Sequence, residues 1–147
     1  MGLLDGKHIV ITGVLTDASL AFGVAKLAQQ EGAKVVLTGA GRGLSLTERT
    51  GRKLAEPVPV YELDVTQPDH LARVRDEVAN LWGRVDGVLH SIGFAPEVCL
   101  GDDFMAAQWS DVAIAMQVSA YSLKALADAF VPLMTDGGSI VGLDFDN

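Results

Sequence analysis

The chain has 147 residues, 49% of them apolar and 20% charged, with a net charge of -8. This composition fits one globular domain with a real core and excludes a disordered chain, and the acidic balance excludes a basic nucleic-acid surface and leaves any phosphate ligand dependent on local donors. The single cysteine, Cys99, cannot close an internal disulfide and reads as a small packed residue rather than a nucleophile, no basic leader opens the chain, and no apolar run approaches the roughly 18 residues of a membrane helix, so a soluble cytoplasmic protein is expected.

Short β-type runs alternate with helical patterns from end to end. Residues 8–12 read as a first strand. Leu20–Gln30 carries Leu20, Val24, Leu27 and Ala28 at helical spacing, with Gly32 as its stop. Residues 34–38 form a second strand whose unbroken Val-Val-Leu implies burial on both faces. A weaker helix at 44–54 and a strand at 58–63 follow. Pro68–Trp82 is a helix with Pro in its first turn and Gly83 after it. Residues 85–91 are a fourth strand, 109–133 one long apolar helix, and 139–143 a fifth strand. No repeat, low-complexity tract or linker divides the chain.

Strict alternation implies an α/β, Rossmann-like, doubly wound parallel sheet with right-handed crossovers. Ligands of such sheets sit beyond the carboxyl ends of the strands, where the strand order reverses. Informative residues fall at those ends: Gly13 after the first strand, Gly39 after the second, Asp64 after the third, Ser91-Ile92-Gly93 after the fourth and Asp144-Phe145 after the fifth.

Gly13 allows a tight turn and close backbone approach to a ligand. Ser19 stands at a helix N-cap position, where its hydroxyl either satisfies a free helix N–H or donates to a phosphate oxygen. The G-x-G-x-x-G spacing of common dinucleotide folds is absent. The segment Thr38-Gly39-Ala40-Gly41-Arg42 has no acid to hold ribose hydroxyls. Arg42 is open to three readings: contact with a 2′-phosphate, stacking over adenine, or simple solvation. Asp64 either meets an adenine amino group or caps the turn before Thr66.

On these residues the chain resembles the enoyl-acyl carrier protein reductases of the short-chain dehydrogenase superfamily, most of all their mycobacterial members. The motifs are Ile11-Thr12-Gly13 with Thr16-Asp17 and Ser19-Leu20-Ala21-Phe22; Glu62-Leu63-Asp64-Val65; His90-Ser91-Ile92-Gly93-Phe94; Ser119-Ala120-Tyr121-Ser122; and Gly137-Gly138-Ser139-Ile140-Val141-Gly142. The resemblance implies that Gly13, Leu15, Ser19 and Leu20 cradle the pyrophosphate and neighbouring ribose of NADH. It implies that Asp64 and Val65 meet the adenine, and that Ser91, Ile92 and Gly93 line the central ribose and phosphate. Val118 would flank the adenosine side, Leu143 and Asp144 the nicotinamide half, and Phe145 the border between nicotinamide and substrate. Ala40 departs from the mycobacterial pattern, which has an aromatic residue there, so NADPH stays open beside NADH. No metal is implied.

The implied reaction is reduction of a trans-2-enoyl thioester on acyl carrier protein, in type II fatty-acid and mycolic-acid elongation. The family's catalytic tyrosine and lysine fall beyond Asn147, and Tyr121 and Lys124 do not replace them. Residues 1–147 are therefore expected to be the N-terminal dinucleotide-binding portion of a single-domain reductase, stopping after the fifth strand and inactive alone. Either they are the first part of a longer reductase, or they are a nucleotide-binding half in its own right. The apolar helix at 109–133 is expected to need a covering partner, as in the homotetramer of the intact family. Two other functions compete: another short-chain carbonyl oxidoreductase, and a non-catalytic dinucleotide-binding module.

Overall fold

The structure is a computed structural model and describes residues 2–144. Its elements are β1 (His8–Ile11), α1 (Leu20–Gln30), β2 (Lys34–Gly39), α2 (Gly43–Gly51), β3 (Val60–Glu62), α3 (Pro68–Trp82), β4 (Gly87–His90), α4 (Trp109–Met116), α5 (Ser122–Phe130) and β5 (Ser139–Gly142). The five strands form one sheet in the order β3-β2-β1-β4-β5. All four pairings are parallel, with Val10 opposite Val36 on one side and Val88 on the other. The strand order reverses between β1 and β4, which is where a doubly wound sheet opens its crevice.

Side chains alternate across each strand, so apolar runs supply two cores. On one face Val10, Val36 and Val88 pack with Val74 and Val78 of α3 and with Leu126 and Phe130 of α5. On the other, Ile11, Val35, Leu37 and Leu89 pack with Ala21, Phe22, Ala25 and Ala28 of α1. The alanines let α1 lie close to the sheet, and each fully buried large side chain contributes roughly 1.5–3 kcal/mol.

The helix stops behave as the sequence implies. Gly32 has φ +91°, and its N–H donates to the Gln29 carbonyl while the Ala33 N–H donates to that of Ala28. This pair of hydrogen bonds satisfies carbonyls at the end of α1. Gly83 closes α3 with φ +74°.

The segment read as one helix over 109–133 is in fact divided. α4 runs into a π-helical turn, Gln117–Tyr121, before α5 begins, and Val131–Leu133 close it as a 3-10 turn. α4 opens with the Asp111 carboxylate accepting the Gln108 N–H at 2.9 Å. The opposite end of the sheet from the crevice is closed by charge. There Asp86 accepts the His8 N–H at 2.9 Å and lies 3.6 Å from Lys7 and 3.7 Å from Arg84.

Candidate functional site

A cleft of about 240 Å³ opens at the carboxyl ends of the strands. Gly13 reaches it from β1, Gly39 and Ala40 from β2, Asp64 and Val65 from β3, Ser91, Ile92 and Gly93 from β4, and Val118 from the π turn. Eight sequence-selected residues thus share one cavity: Gly13, Leu15, Asp64, Val65, Ser91, Ile92, Gly93 and Val118. Leu63, Val65, Ile92 and Val118 give it apolar walls, and Asp64 adds a carboxylate. These surfaces suit a flat heteroaromatic ring bearing an amino group.

The turn after β1 is held from three directions. Gly13 has φ +79°, and a Cβ there would stand 1.8 Å from the Ser91 carbonyl oxygen. The Ser19 hydroxyl does not cap α1. Instead its oxygen accepts the N–H groups of Leu15 at 3.1 Å and Thr16 at 3.0 Å. With the oxygen so occupied, the hydroxyl still has its proton to donate, as to a phosphate oxygen. Thr12 ties the two central strands together by donating to the Leu89 carbonyl at 2.8 Å and accepting the Ser91 N–H at 3.0 Å.

Two residues with no earlier role complete the turn. Thr47 and Thr50 of α2 donate to the carbonyls of Val14 and Leu15 at 2.6 and 2.8 Å. Both threonines are buried. A β-branched, hydroxyl-bearing pair three residues apart on a weakly patterned helix was the available signal. Thr47→Val is expected to cost about 1–3 kcal/mol, because it leaves a buried carbonyl without its donor. Thr47→Ser is expected to keep most of the stability, and urea unfolding of the two variants checks it.

Asp64 takes the capping role: one carboxylate oxygen accepts both the N–H of Thr66 at 2.9 Å and its hydroxyl at 2.7 Å. It lines the cleft as well. Arg42 is exposed at the start of α2, two residues past Ala40. His90, at the end of β4, is buried, and that desolvation holds its pKa below the usual histidine value.

Three sequence-selected residues among those described lie elsewhere. Leu20 is 75% exposed on the first turn of α1. Leu143 extends β5, its N–H donating to the His90 carbonyl at 2.9 Å. It lines a separate groove of about 530 Å³ on the α1 face, with Ile9, Val24 and Val141. Asp144 follows Leu143 at the sheet edge, exposed, and Phe145 lies outside the described residues. Tyr121 is 56% exposed on the π turn, with the Lys124 ammonium 5.6 Å from its ring centre and paired to Asp128. Neither lines the cleft. Among the described residues no cluster of His, Cys, Asp and Glu could hold a metal, and no helix is long and apolar enough to cross a membrane.

The sheet order and the cleft at its switch point define a Rossmann-like α/β domain. The family profile described as Enoyl-(Acyl carrier protein) reductase matches residues 13–147. The chain belongs to that family. It is 46% identical over 149 residues to an enoyl-(acyl-carrier-protein) reductase (NADH) of Mycolicibacterium smegmatis, covering 99% of this chain and 55% of that protein. It is 45% identical to the protein of the same description from Mycobacterium avium, with the same coverage. A counterpart from Neisseria meningitidis is 37% identical over 150 residues, 99% of this chain and 56% of that protein. The chain thus spans about half the length of the curated relatives it matches.

Proposed function

We propose that this chain supplies the dinucleotide-binding half of an NADH-dependent reductase acting on trans-2-enoyl thioesters of acyl carrier protein, in type II fatty-acid and mycolic-acid elongation. The observation that carries the reading is the meeting of four strand-tip loops and the π turn on one cleft at the switch point. The relatives are named as NADH enoyl reductases. In this reading Asp64 and Val65 face adenine, and Val118 packs beside it. Gly13, Leu15, Ser19 and Leu20 hold the diphosphate, and Ser91, Ile92 and Gly93 the central ribose. Leu143 by its backbone, with Asp144 and Phe145, serves the nicotinamide half, the Leu143 side chain facing the groove on the α1 face. The start of α1 favours the diphosphate by about 0.3–1 kcal/mol, and more when partly buried.

Bound dinucleotide supplies a hydride for the β-carbon of the enoyl group. The enolate that results needs a hydrogen-bond donor, a contribution of roughly 2.7–4 kcal/mol. Tyr121 and Lys124 do not line the cleft and form a cation–π pair with each other. We therefore place the donor, and the substrate-covering segments, in polypeptide additional to residues 1–147, which form the N-terminal portion of a single-domain reductase. Two features support this: the relatives' greater length, and the α1 face of β4 and β5, whose groove no described residue fills. The intact protein is proposed to be a cytoplasmic homotetramer packed through the segment from α4 to α5, where Trp109, Ile114 and Met116 are exposed.

Calorimetry with NADH, run beside an assay of crotonyl thioester reduction, tests the reading. The expected result is saturable binding with no turnover by this chain, and turnover by the longer protein. Absence of binding overturns it. A longer protein that reduces ketones but not the thioester favours a carbonyl oxidoreductase, and one that binds without any turnover favours a non-catalytic module. A parallel NADPH titration addresses Arg42: no acid follows β2, so a 2′-phosphate meets a guanidinium and not a carboxylate.

A further inference from the structure

The π turn and the buried histidine meet in one hydrogen-bond chain. In an α-helix the Ser122 N–H would serve the Val118 carbonyl; here its acceptors are the carbonyls of Gln117 and Ala120. The Val118 carbonyl receives the Ser122 hydroxyl instead, at 2.6 Å. A hydroxyl has one proton, and this bond uses it. The contact between Ser122 Oγ and His90 Nε2, also 2.6 Å, is on this ground assigned to the tautomer in which Nε2–H donates to the serine oxygen. Both side chains are buried. Ser119, one turn back, is committed instead to the loop after β4, donating to the Phe94 carbonyl and accepting the Phe94 N–H, each at 2.9 Å.

The register matters because of what it presents. A π turn inserts one residue into the helix and displaces the side chains beside it. Val118 lines the cleft opposite the strand tips, and Ser119 clamps the loop that follows Ser91, Ile92 and Gly93. Restoring α register would turn both residues by a large fraction of a helical step.

We propose that His90 and Ser122 are positioning residues: their imidazole–hydroxyl chain holds the helix in π register at Val118, and that register sets the cleft wall and the loop after β4. The effect on NADH rests on the cofactor reading above; the effect on register does not. His90 touches no ligand in this scheme and acts through Ser122.

The test compares Ser122→Ala, His90→Leu and His90→Gln in this chain. A glutamine amide places an N–H donor near the position of Nε2, so it is the conservative replacement. Amide hydrogen-bond couplings in NMR report whether the Ser122-position N–H bonds to residue 117 or 118, and calorimetry reports NADH affinity. Ser122→Ala and His90→Leu are expected to shift that bond to Val118 and to weaken NADH roughly tenfold, the size of one lost hydrogen bond. His90→Gln is expected to keep the π bond and stay within about twofold of the parent affinity. A π bond retained in Ser122→Ala overturns the proposal, as does a His90→Gln variant that behaves like His90→Leu. A parent chain that binds no NADH sinks the cofactor reading alone, and the register comparison still decides this one.

Discussion

Gly13→Ala is expected to abolish measurable NADH binding and to lower the thermal midpoint by roughly 10 °C, a shift that a domain of this size shows for a few kcal/mol. Two independent costs combine. The residue sits at φ +79°, where an L side chain is strained by about 1–3 kcal/mol. The new Cβ also stands 1.8 Å from the Ser91 carbonyl oxygen. That obstacle is backbone, so no rotamer change relieves it, and the strand tips of β1 and β4 must separate. Overpacking of this kind costs about 1–3 kcal/mol more. The same separation pulls apart the Thr12 link between Leu89 and Ser91, and with it the cleft. Gly23→Ala is the control. It lies inside α1 with nothing within 4 Å of its Cβ position, and it is expected to stabilise by about 0.5–1 kcal/mol. Differential scanning calorimetry of both variants, with and without NADH, decides the matter. Equal small effects at the two positions would mean that Gly13 is not the close contact described.

These contrasts show where the sequence was informative. α1 and α3 were readable to the residue because their stops are local: Gly32 and Gly83 carry positive φ within the turn that ends each helix. The burial of β2 on both faces followed from its unbroken apolar run. Gly13, Asp64 and Ser91 stood out because an α/β alternation puts strand ends on one side of the molecule. The break in the helix between residues 109 and 133 was not readable. A one-residue slip barely alters an apolar pattern, and the contact proposed to hold it joins His90 and Ser122, which are 32 residues apart. Thr47 and Thr50 were harder to read for the same reason. Their carbonyl partners lie 33 and 35 residues away, and their spacing as a threonine pair marks the helix without naming those partners. Leu143 joined the cleft residues by resemblance, whereas its side of the sheet faces the larger groove beside α1.

Phe130→Ala is expected to cost about 3–5 kcal/mol, a large share of the roughly 5–15 kcal/mol that holds a domain of ordinary stability. Phe130 is fully buried at the end of α5, among Val10, Val36, Val74 and Val88. Its ring is part of what fixes α5 to the sheet, and α3 packs against α5 from the same side. Truncation leaves a cavity that this closely packed face cannot fill. Phe104→Ala provides the comparison. That ring is 92% exposed, and its loss is expected to change stability by no more than about 0.5 kcal/mol. Urea unfolding measures both, and similar costs for the two would show that α5 is not seated as described. The argument reaches the cleft as well, because α5 begins at Ser122, directly after the π turn that carries Val118. If NADH binds only the folded chain, NADH at a hundred times its Kd restores about 2.7 kcal/mol to the Phe130→Ala variant. A ligand-induced gain well below that, with parent affinity intact, would show that NADH also binds the unfolded chain.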